Sequence, residues 1–174
     1  MKHILSVLLE NRPGELARVI GLFCARGINI ESLTVAETTD LDVSRMTVAV
    51  TARPGAIEHI TRLVGKQVRV LRAIDLTAIS HIEREMVLLR VNMKDAASRQ
   101  EILGIANVFK ARVLDASADA VTLEAVGEVG EIAAMIELLR PLGISEAVRT
   151  GAVAIARLAE QPALHAEAAR QTAV

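Results

Sequence analysis

Leu8-Leu9-Glu10-Asn11-Arg12-Pro13-Gly14-Glu15-Leu16-Ala17-Arg18-Val19-Ile20, closing at Arg26-Gly27-Ile28-Asn29-Ile30, reads as a strand, a tight loop, an amphipathic helix and the start of a second strand. Leu16, Val19, Ile20, Phe23 and Cys24 recur at i, i+3, i+4, i+7 and i+8, which is one apolar helix face and makes Cys24 a small core residue. Pro13 and Gly14 break the strand at the helix entrance, where backbone N–H groups lack partners inside the helix. Gly27 sits where the helix should stop, since positive φ costs least at glycine. Such an entrance can hold a carboxylate, and Asn29 can offer an amide oxygen to an ammonium group. If the helix folds back over its flanking strands, the two features lie near each other and grip a free α-amino acid by both ends. The competing reading is an ordinary Pro-Gly turn with Asn29 opening a strand.

Outward from this stretch, Ile4 to Leu9 fits a central strand and Ile28 to Ala36 is β-rich. Glu37 to Asp42 is turn-like. From Arg45 to Thr51 residues alternate, with Met46, Val48 and Val50 opposite Thr47, Ala49 and Thr51, as in a half-buried strand. Pro54 opens a second helix with Ile57, Ile60 and Val64 on its inner face. Val68 to Ile74 completes a β-α-β-β-α-β order, the ferredoxin-like pattern.

After a connector at 77–83 the order recurs. Met86 to Met93 predicts a strand, and Ser98-Arg99-Gln100-Glu101 has capping-box spacing for a helix start. Ile102, Ile105, Ala106 and Phe109 repeat the earlier helical spacing. Arg112 to Ala116 and Val121 to Val126 predict two strands around a turn at Ser117, Ala118 and Asp119. Ile132, Met135, Ile136 and Leu139 line a helix stopped by Pro141 and Gly143, and Ile144 to Val148 and Val153 to Ile155 supply closing strands. Phe23-Cys24-Ala25-Arg26 and Phe109-Lys110-Ala111-Arg112 share a Phe-x-Ala-Arg form. In that register Gly14 matches Gln100 and Asn29 matches Asp115, so the second half lacks the glycine and amide. It reads as a partner-contacting copy of a ligand-sensing first half. The fold class is α+β, two tandem ferredoxin-like βαββαβ domains: 1–77, a linker 78–84, then 85–157, with 158–174 as an Ala-rich, disordered tail carrying Pro162 and His165.

The 174 residues suit one domain or two small ones, and 52% hydrophobic content is enough for a real core. Phe23 and Phe109 are the whole aromatic inventory, which counts against a base-stacking sheet face for RNA. A net charge of −1 provides no basic field for nucleic acid. No apolar run reaches the roughly 20 residues of a membrane span. Met1-Lys2-His3-Ile4 enters a strand at once, leaving no room for a signal peptide, so the expected compartment is cytoplasmic. There is no P-loop or G-x-G-x-x-G. His3, His59, His81 and His165 have no partner at metal-ligand spacing, and His81-Ile82-Glu83 reads as hinge polarity. Ser6, Ser32, Ser44 and Ser80 lack a neighbouring base, and the acidic residues form no catalytic pair. The balance favours a binding or regulatory module over a small enzyme on this fold.

Ile4-Leu5-Ser6-Val7-Leu8-Leu9-Glu10-Asn11, Gly14-x-Leu16-x-Arg18-Val19-Ile20-Gly21-Leu22-Phe23, Arg26-Gly27-x-Asn29-Ile30-Glu31-Ser32-Leu33-Thr34-Val35 and Ser44-Arg45-Met46-Thr47 resemble the regulatory (small) subunit family of acetohydroxyacid synthase, also called acetolactate synthase. Its N-terminal half is an ACT domain, and its C-terminal half would be ACT-like. His81-Ile82-Glu83-Arg84-Glu85 resembles the segment entering that family's second domain, and Arg149-Thr150-Gly151 its end. The similarity covers about residues 2 to 156. It implies a non-catalytic, cytoplasmic subunit that activates a separate catalytic subunit, the bearer of thiamine diphosphate, Mg2+ and FAD. It also implies feedback inhibition by valine or a related branched-chain amino acid in branched-chain amino acid biosynthesis. The holoenzyme would be a transferase. The implied effector site lies between two ACT domains of a homodimer. Asn11, Gly14, Glu15, Leu16 and Ala17 come from one chain, and Asn29 and Ile30 from the other. Arg12-Pro13 before Gly14 departs from the pattern by removing an N–H donor, and the tail past Arg157 has no clear counterpart. The alternative is a stand-alone amino-acid-sensing ACT protein with another partner.

Overall fold

The computed structural model describes residues 1–160, so most of the expected tail, with Pro162 and His165, lies outside the described residues. The chain forms two compact units. One comprises Met1–Ile82 together with the described residues from Ala152, and the other Glu83–Gly151. Each is a βαββαβ unit, the tandem ferredoxin-like arrangement anticipated from the repeat of elements. Among the described residues, no helix is long and apolar enough to cross a membrane.

The first unit runs β1 (Lys2–Glu10), α1 (Glu15–Cys24), β2 (Ile30–Glu37), β3 (Val43–Thr51), α2 (Pro54–Gly65) and β4 (Val70–Asp75). Its sheet is antiparallel in the order β2-β3-β1-β4, which leaves β2 and β4 at the edges. Register pairs Leu5 with Val48 and Val7 with Met46, and these side chains meet Val19, Phe23, Ile57, Ile60 and Val64 in one core. Cys24 does not join that core. It is exposed, because successive helix residues rotate by about 100° and Cys24 falls well away from the Val19–Phe23 line. Glu15 is buried in its place on the flank, 5% exposed, with its carboxylate 3.5 Å from Arg69 Nε and 3.4 Å from Arg18 Nη1.

Strand β3 differs from the half-buried expectation. Thr47 and Ala49 are as buried as Met46 and Val48, because the outer sheet face is covered too. There Ile4, Leu76 and Ala154 form a small cluster with Ile74, Ile79 and Ala156 packed against it. Ala154 and Ala156 belong to β9 (Val153–Ala156), a strand grouped with the first unit. Asp75 Oδ1 accepts a 2.9 Å hydrogen bond from the Thr77 amide and caps a short 3-10 turn at Leu76–Ala78. The next strand, β5 (His81–Asn92), begins three residues later.

In the second unit β5 is followed by α3 (Ala96–Val108), β6 (Arg112–Ala116), β7 (Ala120–Gly127), α4 (Val129–Gly143) and β8 (Ile144–Arg149), with sheet order β6-β7-β5-β8. Val87, Leu89, Val91, Leu123, Ile102, Ile132, Met135 and Leu139 fill its core. Glu85, 3% exposed, is held by Arg149 through bonds of 2.9 and 2.6 Å. Pro141 does not stop α4. The helix ends two residues later at Gly143, which adopts φ +101°, because a proline in the last turn forfeits a single N–H bond.

Helix α3 begins before the expected Ser98. Asp95 is its N-cap and Ser98 the third helical residue: Asp95 Oδ1 accepts from the Ser98 amide at 2.7 Å, and Ser98 Oγ accepts from the Asp95 amide at 3.0 Å. The Ser98 amide holds the Asp95 carboxyl below its ordinary value of 3.8. A lowered folded-state pKa contributes stability above the unfolded value and loses it as pH falls through the folded one. Asp95→Ala should therefore lower the thermal midpoint of the second unit at neutral pH. The gap to wild type should close as the pH drops below the ordinary carboxylate range. A gap that persists in strong acid would refute the capping role.

Candidate functional site

The loop between β1 and α1 carries most of the candidate residues. Its backbone is anchored at the β1 end, where the Asn11 amide donates to the Asp42 carbonyl at 2.7 Å and Arg12 donates to Glu10 O at 2.9 Å. The Asn11 side-chain amide is also engaged, donating to Glu37 Oε1 at 3.1 Å and to Leu41 O at 3.0 Å. Gly14 is the N-cap of α1 in the left-handed region, φ +87° and ψ −15°, with no side-chain cap. Glycine is needed here because a Cβ makes this conformation costly.

Two first-turn amides remain open. The Glu15 amide bends back to Arg12 O at 3.3 Å and the Arg18 amide enters the helix ladder on Gly14 O at 3.0 Å. Between them, the Leu16 and Ala17 amides donate to no carbonyl or side chain among the described residues. Unpaired N–H groups at a helix N-terminus carry partial positive charge and suit an anion. Ala17 is exposed, and Leu16 is half-buried against the core. The side chain of Glu15 is turned inward to Arg69, so this residue contributes to the geometry of the mouth. Arg69 also reaches Glu10 Oε2 at 3.0 Å and so ties the end of β1 to the start of α1. Sequence reasoning missed Arg69, since a pairing across 59 residues leaves no local signal.

At the far end of α1, Gly27 takes φ +63° and turns the chain into β2. Asn29 is exposed and its side chain makes no hydrogen bond among the described residues; Ile30, half-buried, pairs with Val50. One protomer does not bring Gly14 and Asn29 together. The ten residues of α1 lie between them, roughly 15 Å of helix at about 1.5 Å per residue. The sheet register agrees, since Asn11 joins Asp42 at one end of β3 while Ile30 joins Val50 at the other. The expected single-chain grip on both ends of an amino acid is therefore ruled out by geometry. A site using both halves needs a second chain.

The second unit lacks an equivalent mouth. By place in the fold, Gly14 corresponds to Asp95 and not to Gln100, because both are helix N-caps, and Asn29 corresponds to Ala111, just before β6. The helix of thirteen residues in place of ten shifts the register that the two phenylalanines suggested. Asp95 supplies its own carboxylate to the α3 entrance, so that amide cluster is already occupied.

Comparison with known proteins matches residues 5–72 to the AHAS small subunit-like ACT domain and residues 84–158 to the family described as small subunit of acetolactate synthase. A probable acetolactate synthase small subunit of Archaeoglobus fulgidus is 43% identical over 157 residues, covering 90% of this chain and 98% of that one. The acetolactate synthase small subunit of Aquifex aeolicus is 41% identical, covering 90% and 81%. Among solved structures, the acetolactate synthase small subunit from Thermotoga maritima superposes with a TM-score of 0.82 at 32% identity, covering 90% of this chain and 98% of that one.

Proposed function

Because the chain belongs to the acetolactate synthase small-subunit family, we propose that it activates a separate thiamine diphosphate catalytic subunit and makes it sensitive to valine. The catalytic chemistry and its cofactors would then belong to that larger partner. The first unit binds the effector and dimerises, and the second unit contacts the catalytic subunit.

The observation that carries the effector reading is the pair of open amides, Leu16 and Ala17, behind a side-chain-free Gly14. Valine is a zwitterion with a small apolar side chain. Its carboxylate suits the open amides, its ammonium suits the Asn29 amide oxygen, and Leu16 and Ile30 provide an apolar wall. Burying the isopropyl group contributes about 1.5–3 kcal/mol. Edge strand β2 supports the dimer. Antiparallel pairing of β2 with its copy about a two-fold axis sets the Gly14 end of one chain beside the Asn29 end of the other. The distance within one protomer then becomes a feature of the mechanism, since valine binds only where two chains dock. Regulation requires that the effector prefer one dimer arrangement over another, for which about 1–3 kcal/mol of coupling is typical.

Co-purification tests the partnership: the chain should bring down a much larger flavin-containing protein and raise its turnover. Titrating valine, leucine and isoleucine against the reconstituted enzyme ranks the effectors. Asn29→His replaces the acceptor amide with a bulkier ring and should weaken inhibition by valine about tenfold, the worth of one hydrogen bond to a charged group. Unchanged sensitivity in this variant would remove Asn29 from the site. Saturable valine binding with no catalytic chain recovered would instead favour a stand-alone sensor.

A further inference from the structure

Four charged side chains meet behind the helix mouth. Glu10 closes β1 and Glu15 opens α1, so they stand at the two ends of the loop 11–14. Arg69, in the turn that leads into β4, bridges them: its Nη1 lies 3.0 Å from Glu10 Oε2 and its Nε 3.5 Å from Glu15 Oε1. The backbone fixes Arg69 in place, because the Glu10 amide donates to the Arg69 carbonyl at 2.9 Å. Arg18 also lies 3.4 Å from Glu15 Oε1, but it is carried on α1 itself, one turn along.

Of the four, Glu15 matters most to an incoming anion. It is the first residue of α1 and adjoins the open amides of Leu16 and Ala17. A carboxylate within the first turn is attracted to such amides, so a Glu15 side chain free to swing outward would compete with any other anion for them. The side chain is instead buried against Arg69. Arg18 moves with the helix and neutralises Glu15 whichever way it turns. Arg69 is anchored on β1, off the helix, so among the described partners of Glu15 it alone sets a direction.

We propose that Arg69 is a positioning residue for the effector: by holding the Glu15 carboxylate inward, it keeps the Leu16 and Ala17 amides open to the effector's carboxylate. This rests on the helix-mouth reading above and adds to it a residue that acts without touching the ligand. Glu10 steadies Arg69 in turn through the 3.0 Å bond, so one guanidinium sets both ends of the loop and the charge that the mouth presents.

Calorimetric titration of valine into the full-length chain tests this, with Gly14→Asp as the reference for a closed mouth. Arg69→Gln should weaken valine binding about five- to tenfold, the effect of a competing carboxylate at a helix N-terminus. Arg69→Lys keeps the charge and should retain most of the affinity. Adding Glu15→Gln to Arg69→Gln should restore binding to near the wild-type level, because an uncharged side chain no longer opposes the effector's carboxylate. A guanidinium that merely braced the loop would not be replaced by that second change. Arg18→Gln removes the same charge from α1 and should weaken binding less than Arg69→Gln does. Glu15→Asp, with Arg69 intact, draws the carboxylate back toward the amides by one methylene and should also lower affinity; it carries the test if Arg69→Gln fails to fold. Wild-type affinity in Arg69→Gln or in Glu15→Asp, no recovery in the double variant, or equal losses in Arg18→Gln and Arg69→Gln would each overturn the role of Arg69. Valine binding that survives Gly14→Asp would instead strike the helix mouth itself, which keeps the two failures apart.

Discussion

Gly14→Asp should abolish inhibition by valine while leaving activation of the catalytic subunit intact. A Cβ at Gly14 would meet nothing within 4 Å, so the side chain has room. The φ of +87° makes the position strained for any other residue, and aspartate is among the side chains that tolerate it best. Its carboxylate would then sit beside the Leu16 and Ala17 amides, much as Asp95 sits at the entrance of α3. The variant helix would cap itself, and the effector's carboxylate would meet both a filled donor set and a like charge. Losing charge-assisted hydrogen bonds worth about 2–3 kcal/mol weakens apparent valine affinity by about 30- to 150-fold. Gly14→Ala carries similar backbone strain without the charge and should keep most of the inhibition. Inhibition curves of the reconstituted enzyme decide the matter, and wild-type valine sensitivity in Gly14→Asp would eliminate the helix mouth as the carboxylate site.

Phe23→Ala should produce the largest loss of stability of any single truncation in the first unit. Phe23 is fully buried, the larger of that core's side chains, and touches both the sheet and the helical layer. Truncating a buried phenylalanine costs about 3–5 kcal/mol, a large part of the roughly 5–15 kcal/mol that holds a domain folded. The loss should be read as faster amide exchange along β1 and β3, where full opening of the unit is needed for exchange. Cys24→Ala, one residue on, should stay within about 0.5 kcal/mol because Cys24 is exposed. Equal effects of the two substitutions would mean that the helix is rotated relative to the sheet described above.

The neighbouring pair Phe23 and Cys24 also marks where sequence reasoning reaches its limit. An i, i+3, i+4, i+7, i+8 pattern identifies a helix and its approximate apolar side. It does not say how wide a stripe the sheet will cover, and here coverage stops short of Cys24 and extends on the other flank to Glu15. The capping residue of α3 was misplaced for a related reason: Ser98 and Glu101 have the right spacing, but Asp95 and Ser98 have it too, and only the backbone path chooses between them. Gly14 was legible because positive φ at a helix entrance is a requirement of one residue. Arg69 and Glu37 were not, since each acquires its partner far along the chain.

By itself the sequence determined the β-α-β-β-α-β order of both halves, the faces that build the two cores, and the glycine and small-residue run at the helix mouth. These depend on periodicity and on single-residue backbone preferences, which act over a turn or two of chain. Tertiary structure alone decided that Gly14 and Asn29 lie at opposite ends of α1, that β9 joins the first unit, and that Arg69 ties the end of β1 to the start of α1. Those outcomes follow from strand pairing and packing between distant segments, and no local pattern encodes which distant segment will arrive.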